Sequence, residues 1–335
     1  MEKVALAPHE APAMQRKRIA FASYMYILLY IVISSGQIFF NKWLLSSNHF
    51  NFPFPVSLTL IHMVFSSVLC FVVIHVFKLV PLPQGMTLEI YATSVFPIGA
   101  MFAMTLWLGN SAYLYISVAF AQMLKAIMPV SVFLLGAAFG LESLTLRMMF
   151  IMSVISFGVL VASYGEINFN WIGVIYQLGG VVGESMRLIL IEIMLKRKGL
   201  KLDPLTMMYY VSPCSAFCLF IPWLLLEKPK MDSSTHWNFD AVVVSLNALC
   251  TFALNISVFL VISSTSALTI RVAGVVRDWI VVLVSGLVFL DTTLTPINII
   301  GYVIAIFGVV MYNKHKLKPV QAASQEELLP VLQGK

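Results

Sequence analysis

Seven ionisable residues stand inside long apolar runs of this sequence: Lys125, Glu184, Arg187, Glu192, Arg271, Arg277 and Asp278. A charge at the centre of a lipid-embedded helix costs roughly 2.5–3.5 kcal/mol on insertion scales, so such groups persist when they pair or line a watery path. Four of the seven are basic and three acidic, and the surplus positive charge suits an anionic cargo. Glu184 and Arg187 are three residues apart and can pair on one helix face, as structural glue or as site lining. Glu192 stands beside Lys196, near a span end, where snorkelling to the interface is open to it. Arg271 and Asp278, seven apart, share a face, with Arg277 pointing about a quarter turn away. Lys125 has no acidic residue within four positions.

Other chemistry is missing from the pattern. Paired carboxylates, a Cys/His couple or a metal cluster at depth would mark an embedded enzyme, and none occurs, so no catalytic residue, metal or cofactor is expected. Cys70, Cys214, Cys218 and Cys250 all fall in apolar runs and read as packing residues. Gly179, Gly180 and Gly183 lack the lysine and the preceding strand of a phosphate-binding loop, and read as close helix contacts. His62 reads as a hydrogen-bonded helix histidine. Tyr113, Tyr115, Tyr209 and Tyr210 have the rings to stack on a base or sugar, or to pack helices.

The elements that hold these residues are helices in a membrane. Of 335 residues, 60% are hydrophobic and only 11% charged, against roughly 45–50% and about 25% in soluble domains. The charges cannot clothe a water-facing surface, so lipid must replace water around the apolar faces. Runs of about 20 apolar residues place ten spans near 21–41, 55–77, 91–115, 118–140, 147–165, 171–195, 205–226, 239–262, 266–290 and 294–313. The net charge of +6 does not point to nucleic acid, because most bases sit in short loops and tails. Fourteen of the 21 Lys and Arg fall on one side of these spans, three (Lys42, Lys228, Lys230) on the other, and four within spans. The richer side is cytosolic, which puts both termini there, as an even span count requires. The polar start, with Arg16-Lys17-Arg18 before a long first span, shows neither a cleavable signal nor a plastid transit peptide.

The two halves echo each other. Lys125 and the following Leu141-Glu142-Ser143-Leu144-Thr145 match Arg277 and Leu290-Asp291-Thr292-Thr293-Leu294-Thr295, and Phe157-Gly158-Val159 matches Phe307-Gly308-Val309. Five spans per copy makes the second copy enter from the opposite side, the inverted build common in secondary transporters. The expected fold is an all-α polytopic membrane protein of ten transmembrane helices in two inverted five-helix repeats, 21–165 and 166–316, between a cytosolic tail at 1–20 and a disordered one at 317–335. A pseudo-twofold axis between the copies sets Lys125 opposite Arg277 at mid-membrane. Two facing cations repel, and a bound phosphate relieves them.

The fourth-span stretch Ser117-Val118-Ala119-Phe120-Ala121-Gln122-Met123-Leu124-Lys125-Ala126-Ile127-Met128-Pro129 resembles a motif of the nucleotide-sugar/triose-phosphate translocator family, in the drug/metabolite transporter superfamily. So does the ninth-span run Thr265-Ser266-Ala267-Leu268-Thr269 through Val275-Val276-Arg277-Asp278-Trp279, and the likeness extends over about residues 20 to 316. It implies exchange by alternating access. It also implies that Lys125 and Arg277 hold phosphate, with Asp278 where plastid triose-phosphate members carry a third cation. Leu106, Gly109 and Leu254 replace polar phosphate-site residues of those members, whereas Asn255 is matched. A basic-then-acidic dyad resembles Golgi nucleotide-sugar carriers. The expected function is therefore antiport of a UDP-sugar-type nucleotide sugar against a nucleoside monophosphate across the Golgi membrane, or alternatively the endoplasmic reticulum; the alternative cargo is a sugar phosphate exchanged for inorganic phosphate. The candidate substrate-binding residues are Lys125, Arg277, Asp278, Arg271, Gln122, Asn255, Glu184 and Arg187, with Arg271 and Asp278 a switchable pair, or Asp278 bonded to a sugar hydroxyl or base. Partners are the anionic substrate, its counter-substrate and the bilayer; pairing with a second copy stays open.

Overall fold

The computed structural model describes residues 13–80, 86–166, 169–198, 204–234, 236–264, 267–288 and 294–333, without the side chains of 13–20, 22, 195–198, 204, 259, 262–264, 267–272 and 316–333. Long helices follow one another: α1 (Ala13–Leu45), α2 (Pro55–Val76), α3 (Leu88–Ala112), α4 (Val118–Ala138), α5 (Leu146–Tyr164), α6 (Trp171–Lys198), α7 (Leu205–Ser233), α8 (Ala241–Ser264), α9 (Ala267–Val288) and α10 (Pro296–Gln333). Nine contain stretches long and apolar enough to cross a membrane among the described residues; α9, expected as a span, is not among the nine. No strand occurs among the described residues. The chain is an all-α polytopic membrane protein. The last helix, α10, runs as far as Gln333.

The principal helix contacts obey an exchange rule. α5 packs on α10, α2 on α7 and α4 on α9; α3 against α6 is mirrored by α8 against α1, α3–α7 by α8–α2, and α4–α6 by α9–α1. Replacing each helix by the one five places along therefore leaves these neighbours unchanged. A single π-helical turn also falls at Val72–Val76 in α2 and at Trp223–Glu227 in α7. The outward faces carry Phe157 and Phe307 at equivalent positions, 59% and 62% exposed, an arrangement that suits lipid rather than water.

Apolar burial between helices gains little when lipid is as apolar as leucine, so close backbone packing takes its place. The α5–α10 seam shows it. A Cβ on Gly158 would lie 2.7 Å from Ala305 Cα and 2.8 Å from Gly301 O; one on Gly301 would lie 2.7 Å from Ala162 Cα. The seam is pinned at one end by buried Asn298, which donates to Ala162 O at 2.7 Å, while Thr295 Oγ1 donates to Gly165 O at 2.9 Å. These bonds satisfy carbonyls that the end of α5 leaves open. The start of α2 is capped across the bundle. Glu227 of α7, 6% exposed, accepts from Val56 N at 2.8 Å, Ser57 N at 2.6 Å and Ser57 Oγ at 2.7 Å. A carboxylate at a helix N-terminus meets its unpaired N–H groups and its dipole together.

The seam makes a prediction. Gly301→Ala should destabilise detergent-purified protein by about 1–3 kcal/mol, the usual effect of overpacking. Gly36→Ala, whose new Cβ meets nothing within 4 Å, should leave the thermal midpoint unchanged or slightly raised. Equal midpoints for the two variants would contradict the close contact.

Candidate functional site

Lys125 owes its position to a proline four residues on. In an unbroken helix the Lys125 carbonyl would accept from residue 129, but Pro129 has no N–H and its ring crowds that carbonyl. The first half of α4 therefore stops at Lys125, with Ala126 N bonding Met123 O at 3.2 Å and Ile127 N bonding Leu124 O at 3.1 Å. The helix restarts at Met128, with Pro129 in its first turn, where the missing donor costs nothing. Lys125 is thus half-buried at the carboxyl end of a half-helix, where the helix dipole favours a cation. The N-terminal end of this half is set by Ser117, whose Oγ accepts from Phe120 N at 3.2 Å.

Two ion pairs flank the lysine. On α9, Arg277 donates to Asp278 Oδ1 from Nε at 2.9 Å and from Nη2 at 2.5 Å, and from Nη1 to the Tyr30 hydroxyl of α1 at 3.3 Å. On α6, Arg187 pairs with Glu184 through both Nε and Nη2, the former at 2.9 Å, and its guanidinium lies 4.9 Å from the Phe102 ring centroid. Arg277, Asp278, Glu184 and Arg187 all lie within electrostatic reach of Lys125. Lys125 itself makes no hydrogen bond or ion pair among the described residues. The two pairs cancel internally, which leaves one uncompensated positive charge among these five side chains. The site joins both halves of the chain, from α4 on one side and from α6 and α9 on the other.

One expectation is corrected here. Arg277 does not stand unneutralised with its head turned from Asp278: adjacent Cα atoms are about 100° apart around a helix, but the long guanidinium arm folds back onto its neighbour. The Arg271 side chain lies outside the described residues, so its pairing with Asp278 falls outside them too. Gln122 donates to the Tyr113 hydroxyl at 3.2 Å, and its buried Oε1 has no partner among the described residues. Tyr113 in turn lies in the field of Arg277 and Asp278. Asn255 turns to its own helix and donates to Thr251 O at 2.9 Å. Lys42, counted from sequence among the bases beyond a span end, is inside α1 and 6% exposed, donating to Tyr113 O at 2.8 Å and Ile116 O at 3.3 Å. It tethers α1 to the loop that leads into α4.

Sequence reading missed a second polar system. Gln37 and Asn41 of α1, Thr59 and His62 of α2, Asn110 of α3, and Asn247 and Thr251 of α8 form one hydrogen-bonded network. Gln37 Nε2 donates to Asn41 Oδ1 at 2.8 Å and Thr251 Oγ1 at 2.7 Å; Asn247 Nδ2 donates to Asn41 Oδ1 at 3.0 Å. Asn41 reaches Asn110 Oδ1 at 3.3 Å, Asn110 reaches Thr59 Oγ1 at 3.0 Å, and His62 Nε2 meets Asn247 Oδ1 at 2.5 Å. The legible signal was spacing: Gln37 with Asn41, and Asn247 with Thr251 and Asn255, recur at four residues inside apolar runs. Tyr209 and Tyr210 stack edge-on at 5.0 Å, which is the packing role open to them.

A multi-pass bundle of two contact-equivalent halves, with Lys125 unpaired between them among the described residues, is the architecture of a solute carrier. The chain belongs to the triose-phosphate transporter family, whose sequence model matches residues 21–313. Two Arabidopsis thaliana proteins, each named "probable sugar phosphate/phosphate translocator", are 71% and 69% identical over 301 and 305 residues, covering 90% and 91% of this chain and 88% and 90% of their own. The GDP-mannose transporter GONST5 of the same plant is 29% identical over 344 residues, covering 97% of this chain and 98% of its own. One solved crystal structure, 15% identical with a TM-score of 0.46, covers 87% of this chain and 96% of its own.

Asn247→Leu strips a partner from Asn41 and His62 at once. Each buried group left unsatisfied costs about 1–3 kcal/mol, so the thermal midpoint of detergent-purified protein should fall by several degrees. Asn255→Leu removes only a bond within one helix and should lower it far less. A midpoint for Asn247→Leu no lower than for Asn255→Leu would mean that the network carries no stability.

Proposed function

We propose that this protein is an antiporter that exchanges a sugar phosphate for inorganic phosphate across an internal membrane, with Lys125 receiving the phosphate and Arg277 completing its grip from the other half. The observation that carries this reading is Lys125, a half-buried ammonium with no counter-charge of its own among the described residues, beside two pairs that already have theirs. A phosphate monoester brings about −1.5 to −2 charge at neutral pH and three acceptor oxygens, which fits a lysine's three free donors. Charge-assisted bonds of this kind are the strong ones. The printed names of the relatives at 71% and 69% identity favour the sugar phosphate over the nucleotide sugar.

The contact exchange rule and the paired π-helical turns in α2 and α7 support two inverted five-helix repeats, bounded as 21–165 and 166–316. Rocking of one repeat against the other about the Lys125 site would give alternating access. Gln122, Asn255, Arg271, Asp278, Glu184 and Arg187 complete the proposed lining. The cytosolic placement of both termini rests on the charge bias, and a Golgi membrane is the proposed address.

A second reading, a nucleotide sugar exchanged for a nucleoside monophosphate, draws on the GDP-mannose transporter relative and on the acidic residue that follows Arg277. Preloaded proteoliposomes separate the two. Inorganic phosphate inside should drive uptake of labelled sugar phosphate, whereas a nucleoside monophosphate inside should drive uptake only under the second reading. Lys125→Ala and Arg277→Ala should each lower exchange at least about 100-fold, the loss expected when charge-assisted bonds worth about 3 kcal/mol disappear. Unchanged exchange in both variants would remove these residues from the site.

A further inference from the structure

We infer that Asp278 is an internal stand-in for the substrate's phosphoryl group and sets which anions the carrier accepts. The inference rests on the phosphate-exchange reading above and adds a selectivity device to it. Arg277 already has partners: two of its five N–H groups converge on Asp278 Oδ1, at 2.9 and 2.5 Å, and a third reaches the Tyr30 hydroxyl at 3.3 Å. The pair is not sealed away, for the arginine and aspartate side chains are 17% and 25% exposed. Lys125 lies in the field of both and, among the described residues, has no partner of its own. Among the described residues the site therefore presents one cation without a counter-charge and one held by a carboxylate.

An incoming anion must outbid that carboxylate to gain the second cation. A monoanion brings no more charge than Asp278 does and only meets Lys125. A phosphoryl dianion brings twice the charge and three oxygens in the planar, forked reach of a guanidinium, so it can bridge Lys125 and Arg277. Tyr302 of α10 and Tyr113 lie in the field of the carboxylate so displaced. Asp278 is thus a positioning residue: it acts through Arg277, holding the guanidinium until a sufficiently charged group replaces it. Only the fraction of carriers with Arg277 released binds in the bridged mode, so the apparent affinity for an anion that bridges the two cations is lowered by that fraction.

The experiment uses the full-length protein in proteoliposomes preloaded with inorganic phosphate, and reads uptake of radiolabelled phosphate. Two competitors differ chiefly in charge, the dianion methyl phosphate and the monoanion dimethyl phosphate. In the native protein at pH 7.5, methyl phosphate should compete and dimethyl phosphate should be at least tenfold weaker. Asp278→Asn should lower the KM for phosphate about tenfold and let dimethyl phosphate compete to within about threefold of methyl phosphate. Asp278→Glu, which keeps the carboxylate, should retain the native discrimination. A raised or unchanged KM in Asp278→Asn with discrimination intact would overturn the inference and leave phosphate exchange standing. If Asp278→Asn fails to fold, the native protein still decides: equal competition by the two esters overturns the inference. Absence of any phosphate exchange in the native protein overturns this inference together with the reading beneath it.

Discussion

Lipid gives a buried charge nothing to bind, and the rest of this structure follows from how each charge and polar group is nonetheless served. Glu227 closes on the open N–H groups at the start of α2, Lys42 on two carbonyls that would otherwise face an apolar wall, and Arg187 on Glu184. The amides of α1, α3 and α8 bond one another, with Gln37 Oε1 left without a partner among the described residues. In water such bonds would be nearly neutral trades; in a bundle surrounded by lipid each unmet group costs several kcal/mol. Lys125 stands apart because, among the described residues, its ammonium is met by no carboxylate or carbonyl. A group kept at that cost in the seam between two halves is most economically explained by a partner that comes and goes.

The backbone is arranged to hold that one group. Pro129 cuts α4 just beyond Lys125, so the lysine sits where two half-helices meet rather than on a continuous cylinder. Broken helices of this kind place binding groups at mid-membrane in many carriers. Around it the glycine seam of α5 and α10, tied by Asn298 and Thr295, forms a contact too close to slide. The polar network of α1, α2, α3 and α8 differs in kind. Amides and hydroxyls can exchange their partners for water at small net cost, so an end of the bundle closed by them can part more readily than one closed by interlocked apolar surface.

Much of this was legible in the residues. Sixty per cent hydrophobic composition with eleven per cent charge could only mean lipid, and apolar length located the helices to within a few residues. The Lys125, Glu184, Arg187, Arg277 and Asp278 cluster was visible because charges in apolar runs have few bland explanations, and the structure brings their fields together. Rotamers were not legible. Helical geometry separates Arg277 from Asp278, and only side-chain reach rejoins them, so of the two cations expected to stand bare, Arg277 is paired. The cap from Glu227 and the Asn–His network were hidden for another reason: they depend on helices distant in sequence meeting at particular heights, and neutral amides raise no alarm in an apolar run. The family was legible from two motifs, and the near relatives' names weigh toward sugar phosphate where the Arg277-Asp278 dyad had weighed toward nucleotide sugar.

Titration calorimetry of purified protein with inorganic phosphate, in the native chain and in Lys125→Met, tests directly whether the lone ammonium is where the anion binds. Methionine keeps the stem's bulk and removes the charge, so the bundle should survive. The dissociation constant should rise by roughly 10- to 100-fold, in keeping with about 1.5–3 kcal/mol for a hydrogen bond to a charged group. A dissociation constant that does not change would contradict the assignment, because the phosphate would then be held without the Lys125 ammonium.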